Sequence, residues 1–254
     1  MTEEKPDHED LEMELVGGAT ATKQYTVGVV LAAVYCVSAL IPISAFLGAA
    51  GPLAQLTLTI CIAPLFGILL GPTRGFVFGL VGGIITSFLP GVSLFVPTVI
   101  IGPAISGLLT GLCLRPYTRI GSIRIPGPIL TSIYLVVIMV LYLIPNFEAW
   151  WFIIYYAIAA IVAAALQLEP FRFDASKRGY EGFLQLIPLG LIGTITDFSM
   201  MTIGAVYILN LEAAAFGFGI FPFMLAERTA AMIISAIVAV IVLSTFEDLF
   251  SASD

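Results

Sequence analysis

Apolar stretches long enough to cross a membrane follow one another along almost the whole chain. A helix needs about 20 apolar residues to cross the hydrocarbon layer of a bilayer, because it rises about 1.5 Å per residue. The sequence therefore predicts an all-α integral membrane protein of about eight transmembrane helices. The predicted spans are 25–46, 54–71, 73–90, 97–114, 127–145, 149–167, 182–209 and 220–245.

Composition indicates that lipid is the main solvent of this chain. Hydrophobic residues make up 59% of the 254 residues and charged residues only 11%, whereas soluble domains carry about 25% charged residues. A soluble protein of this size must cover its outside with polar groups, and this chain has too few of them. We therefore expect residues 23–246 to form a single transmembrane domain.

Acidic residues are concentrated before the first span. Residues 1–22 contain seven acidic residues and one lysine, within a net charge of −7 for the whole chain. Such a segment cannot bury enough apolar surface to fold, so we predict a disordered cytoplasmic tail there. Residues 247–254 form a second short tail. The net negative charge of the chain argues against nucleic acid as a partner.

The distribution of Lys and Arg predicts the orientation. With the N-terminus inside, the connections 47–53, 91–96, 146–148 and 210–219 face outside, and they hold no Lys or Arg. Because cytoplasmic loops carry an excess of basic residues, this asymmetry predicts a plasma-membrane protein with both termini in the cytoplasm. The basic residues on the predicted cytoplasmic side are Lys5, Lys23, Arg74, Arg115, Arg119, Arg124, Arg172, Lys177 and Arg178.

Three ionisable residues lie inside predicted spans: Asp197, Glu227 and Arg228. A charge at the membrane centre costs about 2.5–3.5 kcal/mol on insertion scales, so each needs a partner or water. Arg228 lies about 12 Å and Asp197 about 18 Å inward from the outer ends of their spans. Two hypotheses follow, and they are compatible. The two residues form an ion pair that locks two helices, or they line an outward-facing polar pocket for a solute.

Neighbouring residues refine these hypotheses. Thr194 is one of several hydroxyl residues near Asp197 that favour a wet site, although threonine hydroxyls also bond to their own helix. Glu227 and Arg228 point about 100° apart around a helix, so we expect only one of them to face a shared pocket.

Small residues recur four positions apart on the first span, at Gly28, Ala32 and Cys36. A stripe of small residues lets another helix approach closely. The stripe either packs against another helix of this chain or docks a separate protein. Similar stripes occur at Gly75, Gly79, Gly83, Gly107 and Gly111.

Several catalytic signatures are missing from the sequence. The single histidine, His8, lies in the tail, which excludes Ser-His-Asp chemistry and a histidine-rich metal site. The chain has no Gly-Lys-Ser/Thr phosphate loop, so we do not expect it to hydrolyse ATP. We predict no enzymatic activity, no cofactor and no metal site. An intramembrane enzyme acting on lipid is disfavoured by the lack of a nucleophile–base pair.

Two stretches of sequence resemble a known family. Residues 63–83, APLFGILLGPTRGFVFGLVGG, resemble the second and third helices of the substrate-binding S components of energy-coupling factor (ECF) vitamin transporters. Residues 221–238, FPFMLAERTAAMIISAIV, resemble their last helix. The resemblance covers spans one to four and seven to eight, and its motifs are patterns of Gly, Pro and apolar residues.

The resemblance implies a function. An S component captures a vitamin or similar solute from outside and pairs with a transmembrane T component and two ATPase subunits. The implied pocket is formed by 47–53, by 91–98 with Thr98, by Asp197 and by the start of the last span, with Glu227 and Arg228. The implied docking helix for the T component is the first, with Gly28, Ala32 and Cys36 where the family has alanines.

Two departures from the family pattern matter. S components usually have six helices, so 127–167 is interpreted as an added hairpin. Metal-transporting members begin with Met-His, whereas this chain begins Met1-Thr2, which disfavours a metal substrate. The alternative function is a stand-alone secondary carrier or channel that uses Asp197 as a proton or cation site.

Overall fold

The computed structural model describes residues 8–41, 57–89, 97–120, 123–174, 177 and 179–245. The predicted outer connections 47–53 and 91–96 and the tail residues 1–7 and 247–254 lie outside this part. The described part is 86% helical, which confirms an all-α chain.

Seven α-helices follow one another in the described part of the chain. They are α1 (His8–Ser38), α2 (Thr59–Ser87), α3 (Gly102–Cys113), α4 (Gly127–Asn146), α5 (Ile154–Ala165), α6 (Gly179–Tyr207) and α7 (Phe221–Thr245). Short 3-10 helices span Pro97–Ile101, Phe147–Ile153 and Glu169–Phe171, and a π-helical turn spans Ala215–Ile220. A small antiparallel ribbon pairs β1 (Thr118–Ile120) with β2 (Ile123–Ile125).

Among the described residues, four helical stretches are long and apolar enough to cross a membrane: Thr59–Ser87, Gly127–Ala165, Gly179–Tyr207 and Ala215–Thr245. A shorter apolar stretch spans Pro97–Cys113. These lengths and compositions are those of a membrane-embedded helical protein.

The first of these stretches is broken at Gly71. Its φ of 74° lies in the left-handed region, which glycine adopts without a steric penalty. A Cβ atom placed on Gly75 would lie 2.7 Å from the Phe66 carbonyl oxygen, although nine residues of straight helix span about 13.5 Å. The chain therefore folds back on itself, and α2 consists of two packed halves, 59–70 and 72–87.

A second break lies between α4 and α5. Ala149 has non-helical angles (φ −111°, ψ 44°) within the connecting 3-10 segment, and α4 and α5 pack against each other. The Tyr142 hydroxyl donates to the Ala149 carbonyl (3.3 Å), and the Tyr142 ring stacks on Phe152 with centroids 4.7 Å apart. Both breaks fall between segments that the sequence predicts as separate spans.

The helix α1 begins at His8, within the segment predicted as a disordered tail, so residues 8–22 are helical. Glu and Leu, which occur repeatedly there, are strong helix formers. Extending a helix that is already nucleated by an apolar span costs little, since each added residue gains a hydrogen bond.

Glycines bring the second half of α2 against α3 at backbone contact distance. The two run antiparallel, with Gly83 against Ile100, Gly79 against Pro103 and Gly75 against Gly107. A Cβ atom on Gly107 would lie 2.5 Å from the Gly75 carbonyl oxygen. The small-residue stripes of these helices therefore serve packing within the chain.

Candidate functional site

Arg228 is the largest fully buried side chain among the described residues, with 2% of it exposed. Its Nη1 donates to the Thr194 carbonyl oxygen at 3.1 Å and to Asp197 Oδ2 at 3.3 Å. Its guanidinium carbon lies 4.6 Å from the centre of the Phe198 ring, in cation–π geometry. One turn of α6 thus holds Arg228 of α7 through a carbonyl, a carboxylate and an aromatic face.

A second carboxylate completes the charge cluster. Glu227 Oε1 lies 3.5 Å from Arg228 Nη2, and only 2% of the Glu227 side chain is exposed. Both neighbours on α7 therefore belong to one cluster, contrary to the expectation from their 100° separation. Long side chains with several rotatable bonds bring their charged ends together although their Cβ atoms diverge.

The charge cluster, defined as Asp197, Glu227 and Arg228, is unbalanced. With all three groups ionised it carries one more negative than positive charge. Two of its buried atoms, Glu227 Oε1 and Arg228 Nε, have no hydrogen-bond partner among the residues that the structure describes. Buried polar atoms are nearly always satisfied in folded proteins, so unpartnered ones in a cluster call for a further group.

Asp197 sits against the start of α3. A Cβ atom on Gly102 would lie 2.6 Å from Asp197 Oδ1 and 3.1 Å from the Asp197 carbonyl oxygen. Any side chain at position 102 would therefore collide with the carboxylate. The Asp197 side chain is 14% exposed, more than its two partners, so Asp197 is the most accessible of the three charges.

The hairpin of α4 and α5 contributes three tyrosine hydroxyls beside the cluster. Tyr134 lies 2.6 Å from the Ser199 hydroxyl, and Tyr156 lies 2.7 Å from that of Thr202. Ser199 already donates its proton to the Thr196 carbonyl (2.6 Å), so Tyr134 is the donor to Ser199. The lone pairs of the Tyr134 oxygen remain available as acceptors.

The third hydroxyl belongs to Tyr155, which lies 2.9 Å from the Thr229 hydroxyl on α7. Thr229 donates to the Leu225 carbonyl (2.7 Å), so Tyr155 is again the donor. The hairpin interpreted as an addition therefore bonds to both helices that carry the charge cluster.

The helix α2 is tied to α7 near the charge cluster. The Ser235 hydroxyl of α7 donates to the Cys61 carbonyl at 2.7 Å. Ser235 lies about two turns after Arg228 on the same helix. Tyr35 on α1 and Cys61 on α2 are both buried.

The two predicted threonines contact α6 in different ways. The Thr194 hydroxyl donates to the Leu191 carbonyl of its own helix (3.0 Å), and it is the Thr194 carbonyl that reaches Arg228. The Thr98 hydroxyl donates to the Met200 carbonyl at 2.6 Å and so ties the 3-10 segment before α3 to α6. Ligand binding by either hydroxyl stays a prediction.

The stripe on α1 faces the second half of α2. A Cβ atom on Gly28 would collide with the Phe78 ring, Ala32 is buried, and the Cys36 thiol lies 3.8 Å from the Gly82 carbonyl oxygen. Packing within the chain accounts for this stripe. Docking of a separate protein by these three residues stays a prediction, and a partner would first have to displace α2.

Sequence reasoning missed Phe198 and Gly102, which contact Arg228 and Asp197. It also missed the tyrosines of neighbouring helices, of which Tyr134 and Tyr156 bond to hydroxyls of α6 and Tyr35 is buried. One signal was available for the tyrosines. Tyrosine in membrane proteins usually sits at the interface with water, whereas these three lie near the middle of predicted spans. A mid-span tyrosine needs a buried hydrogen-bond partner and so points to a polar site.

The charge cluster can bind and orient a polar group, because it combines charged side chains, hydrogen-bond acceptors and the Phe198 ring inside apolar helices. Comparisons with protein-family models, with curated proteins and with solved structures found no match to this chain.

Proposed function

We propose that this chain is a membrane transporter subunit that captures a small, vitamin-like solute from outside the cell, as ECF-type S components do. The observation that carries the proposal is the charge cluster. Three charged side chains lie within apolar helices, and two of their buried atoms receive no hydrogen bond from any described residue. Charges inside membrane helices are expensive and typically mark a solute or ion pathway.

The proposal includes the eight-span topology with both termini in the cytoplasm. This topology is supported by contacts that bring the predicted cytoplasmic connections together at one end of the helices. There Gly71 and Pro72 meet Gly111, and Leu112 meets Gly127. At the other end Ile41 accepts a hydrogen bond from Leu58 (3.0 Å), and Thr98 bonds to Met200.

The topology is tested by single cysteines introduced into a cysteine-free chain and labelled in intact cells with a membrane-impermeant maleimide. Labelling at position 148 with protection at position 122 is expected. The reverse pattern would overturn the orientation, and equal labelling at both positions would overturn the span count between them.

The solute-capture function is tested on the purified full-length chain. Vitamins and related small solutes are screened by thermal shift, and the chain is tagged in its native host to recover associated proteins. One saturable stabilising solute, together with co-purified ATPase subunits, is the expected result. If no solute stabilises the chain and no ATPase accompanies it, the proposal fails. The partner part of this proposal rests on the sequence resemblance alone.

A stand-alone carrier or channel is the second candidate function. The observation that favours it is the excess negative charge of the charge cluster, which suits a proton or cation at Asp197. Uptake into proteoliposomes that contain this chain alone, and its loss in Asp197→Asn, would support the carrier over the transporter subunit.

A further inference from the structure

We infer that the charge cluster takes a positively charged N–H donor group of the solute, such as an ammonium or amidinium group. This inference rests on the proposed solute-binding function and names the chemical class of the group that reaches the site. It follows from which atoms of the cluster are already engaged and which remain.

Both terminal nitrogens of the Arg228 guanidinium face protein groups. Nη1 donates to the Thr194 carbonyl and Asp197 Oδ2, Nη2 lies 3.5 Å from Glu227 Oε1, and one face of the guanidinium covers the Phe198 ring. An incoming carboxylate or phosphate would need two parallel N–H groups for a bidentate contact, and among the described residues the pair on Nε and Nη2 makes no hydrogen bond. An anion at that edge would lie beside the ionised Glu227 carboxylate, which repels it.

Unused acceptors outnumber unused donors. An ionised carboxylate offers about four lone-pair sites, and among the described residues the two carboxylates together receive one hydrogen bond, from Arg228 to Asp197 Oδ2. Glu227 Oε1 is buried without a hydrogen-bond partner. Arg228 Nε is the one buried donor of the cluster left over, and a water or hydroxyl oxygen satisfies it without adding charge.

Charge balance points the same way. With all three groups ionised, the cluster carries an excess negative charge in a low-dielectric interior, where an uncompensated charge is costly. The neighbouring titratable groups, Tyr35, Cys61, Tyr134 and Tyr156, supply no positive charge. A cation with N–H donors satisfies the unpartnered carboxylate atom and neutralises the cluster in one step.

The Tyr134 hydroxyl fits the same class of group. Tyr134 donates its proton to Ser199, two residues from Asp197 on α6, so its oxygen offers only lone pairs to a ligand. A lone pair accepts a hydrogen bond from an N–H group and gives none to an anion.

The inference is tested with small probes on the purified full-length chain. Binding of radiolabelled methylammonium is measured by equilibrium dialysis at fixed pH, with tetramethylammonium, acetate and phosphate as competitors. Saturable binding that unlabelled methylammonium displaces is expected, with at least tenfold weaker displacement by tetramethylammonium, which has no N–H group. Acetate and phosphate should not compete.

Two variants and one control locate the probe. Asp197→Asn and Glu227→Gln keep the side-chain shape and should each lower methylammonium affinity at least tenfold. Glu148→Gln removes an exposed carboxylate outside the cluster and should leave the affinity unchanged. Size-exclusion profiles identify any variant that fails to fold. If one of the two cluster variants fails, the methylammonium affinity of the other tests the inference.

Any of the following three results would overturn the inference. Binding of acetate or phosphate in place of methylammonium would assign an anion and leave the proposed solute capture intact. Methylammonium binding that survives both substitutions would place the cation elsewhere. Stability that changes with pH but with none of the probes would assign a proton alone. Failure of the vitamin screen, by contrast, counts against the proposed function and is read independently of these probes.

Discussion

Two contacts between helices are built in different ways. The first, the glycine seam, lies between α2 and α3. The second, the side-chain seam, lies between the α4–α5 hairpin and α6–α7. In the first, backbone meets backbone at glycines, as where a Cβ atom on Gly67 would lie 2.6 Å from the Gly107 carbonyl oxygen. In the second, tyrosine hydroxyls and aromatic rings bridge the helices, as Tyr156 does with Thr202. Helices in lipid gain little from hydrophobic burial against each other, so close packing and hydrogen bonds must hold them together.

The difference explains where the charge cluster lies. A glycine seam excludes side chains and leaves no space for polar groups between its backbones. A side-chain seam carries hydroxyls and can surround a charged residue with partners. Asp197 lies where the two seams meet. Its carboxylate is close to Gly102 of the glycine seam and is paired with Arg228 of the side-chain seam.

The largest expected effect comes from removing the charge that anchors the side-chain seam. Arg228→Leu leaves Asp197 and Glu227 buried without their counter-charge. Breaking a buried pair in this way costs about 3–5 kcal/mol. Thermal unfolding in detergent should show a large loss of stability, whereas Arg172→Leu, at a half-exposed surface pair, should change it little. Equal stability of the two variants would show that the cluster does not hold α6 to α7.

The glycine seam should respond to a single methyl group. Gly107→Ala places a Cβ atom 2.5 Å from the Gly75 carbonyl oxygen, and overpacking of this kind costs about 1–3 kcal/mol. The matched control is Gly219→Ala, where no atom lies within 4 Å of the added carbon. Unfolding of both variants is followed by tryptophan fluorescence. A stable Gly107→Ala protein would contradict backbone contact at this seam.

The side-chain seam should tolerate loss of one hydroxyl better than the glycine seam tolerates one methyl group. Tyr156→Phe keeps the buried ring and removes its hydrogen bond to Thr202. Hydrogen bonds between membrane helices contribute about 0.6 kcal/mol on average and about 1.7 at most. Tyr180→Phe, on an exposed ring, serves as the control in the same unfolding measurement. A loss larger than that of Gly107→Ala would invert the comparison.

The smallest effect is expected at Tyr155. Its hydroxyl donates to Thr229, which keeps its own hydrogen bond to the Leu225 carbonyl when Tyr155 becomes Phe. We expect a loss of about 0.6 kcal/mol or less. A loss as large as that of Tyr156→Phe would mean that the contact of the hairpin with α7 matters as much as its contact with α6.

Much of the fold follows from residue order alone. Gly71 and Pro72 between two apolar runs predict a reversal, since glycine accepts a positive φ and proline begins a helix readily. The structure has the break at Gly71. The pairing of Asp197 with Arg228 is one of the two compatible hypotheses that the sequence leaves open, because charges inside apolar spans must find each other or water.

By itself, the sequence determined the membrane class, the helical secondary structure, the breaks between helices and the identity of the three buried charges. Only the tertiary structure decided which helix each stripe faces, that Gly28, Ala32 and Cys36 pack against α2, and that Tyr134 and Tyr156 bond to Ser199 and Thr202 of α6. The physical reason is that apolar length and helix breaks are local properties of the chain. Which side chains meet depends on how each helix is rotated against its neighbours, and that rotation is set by contacts between residues far apart in the sequence.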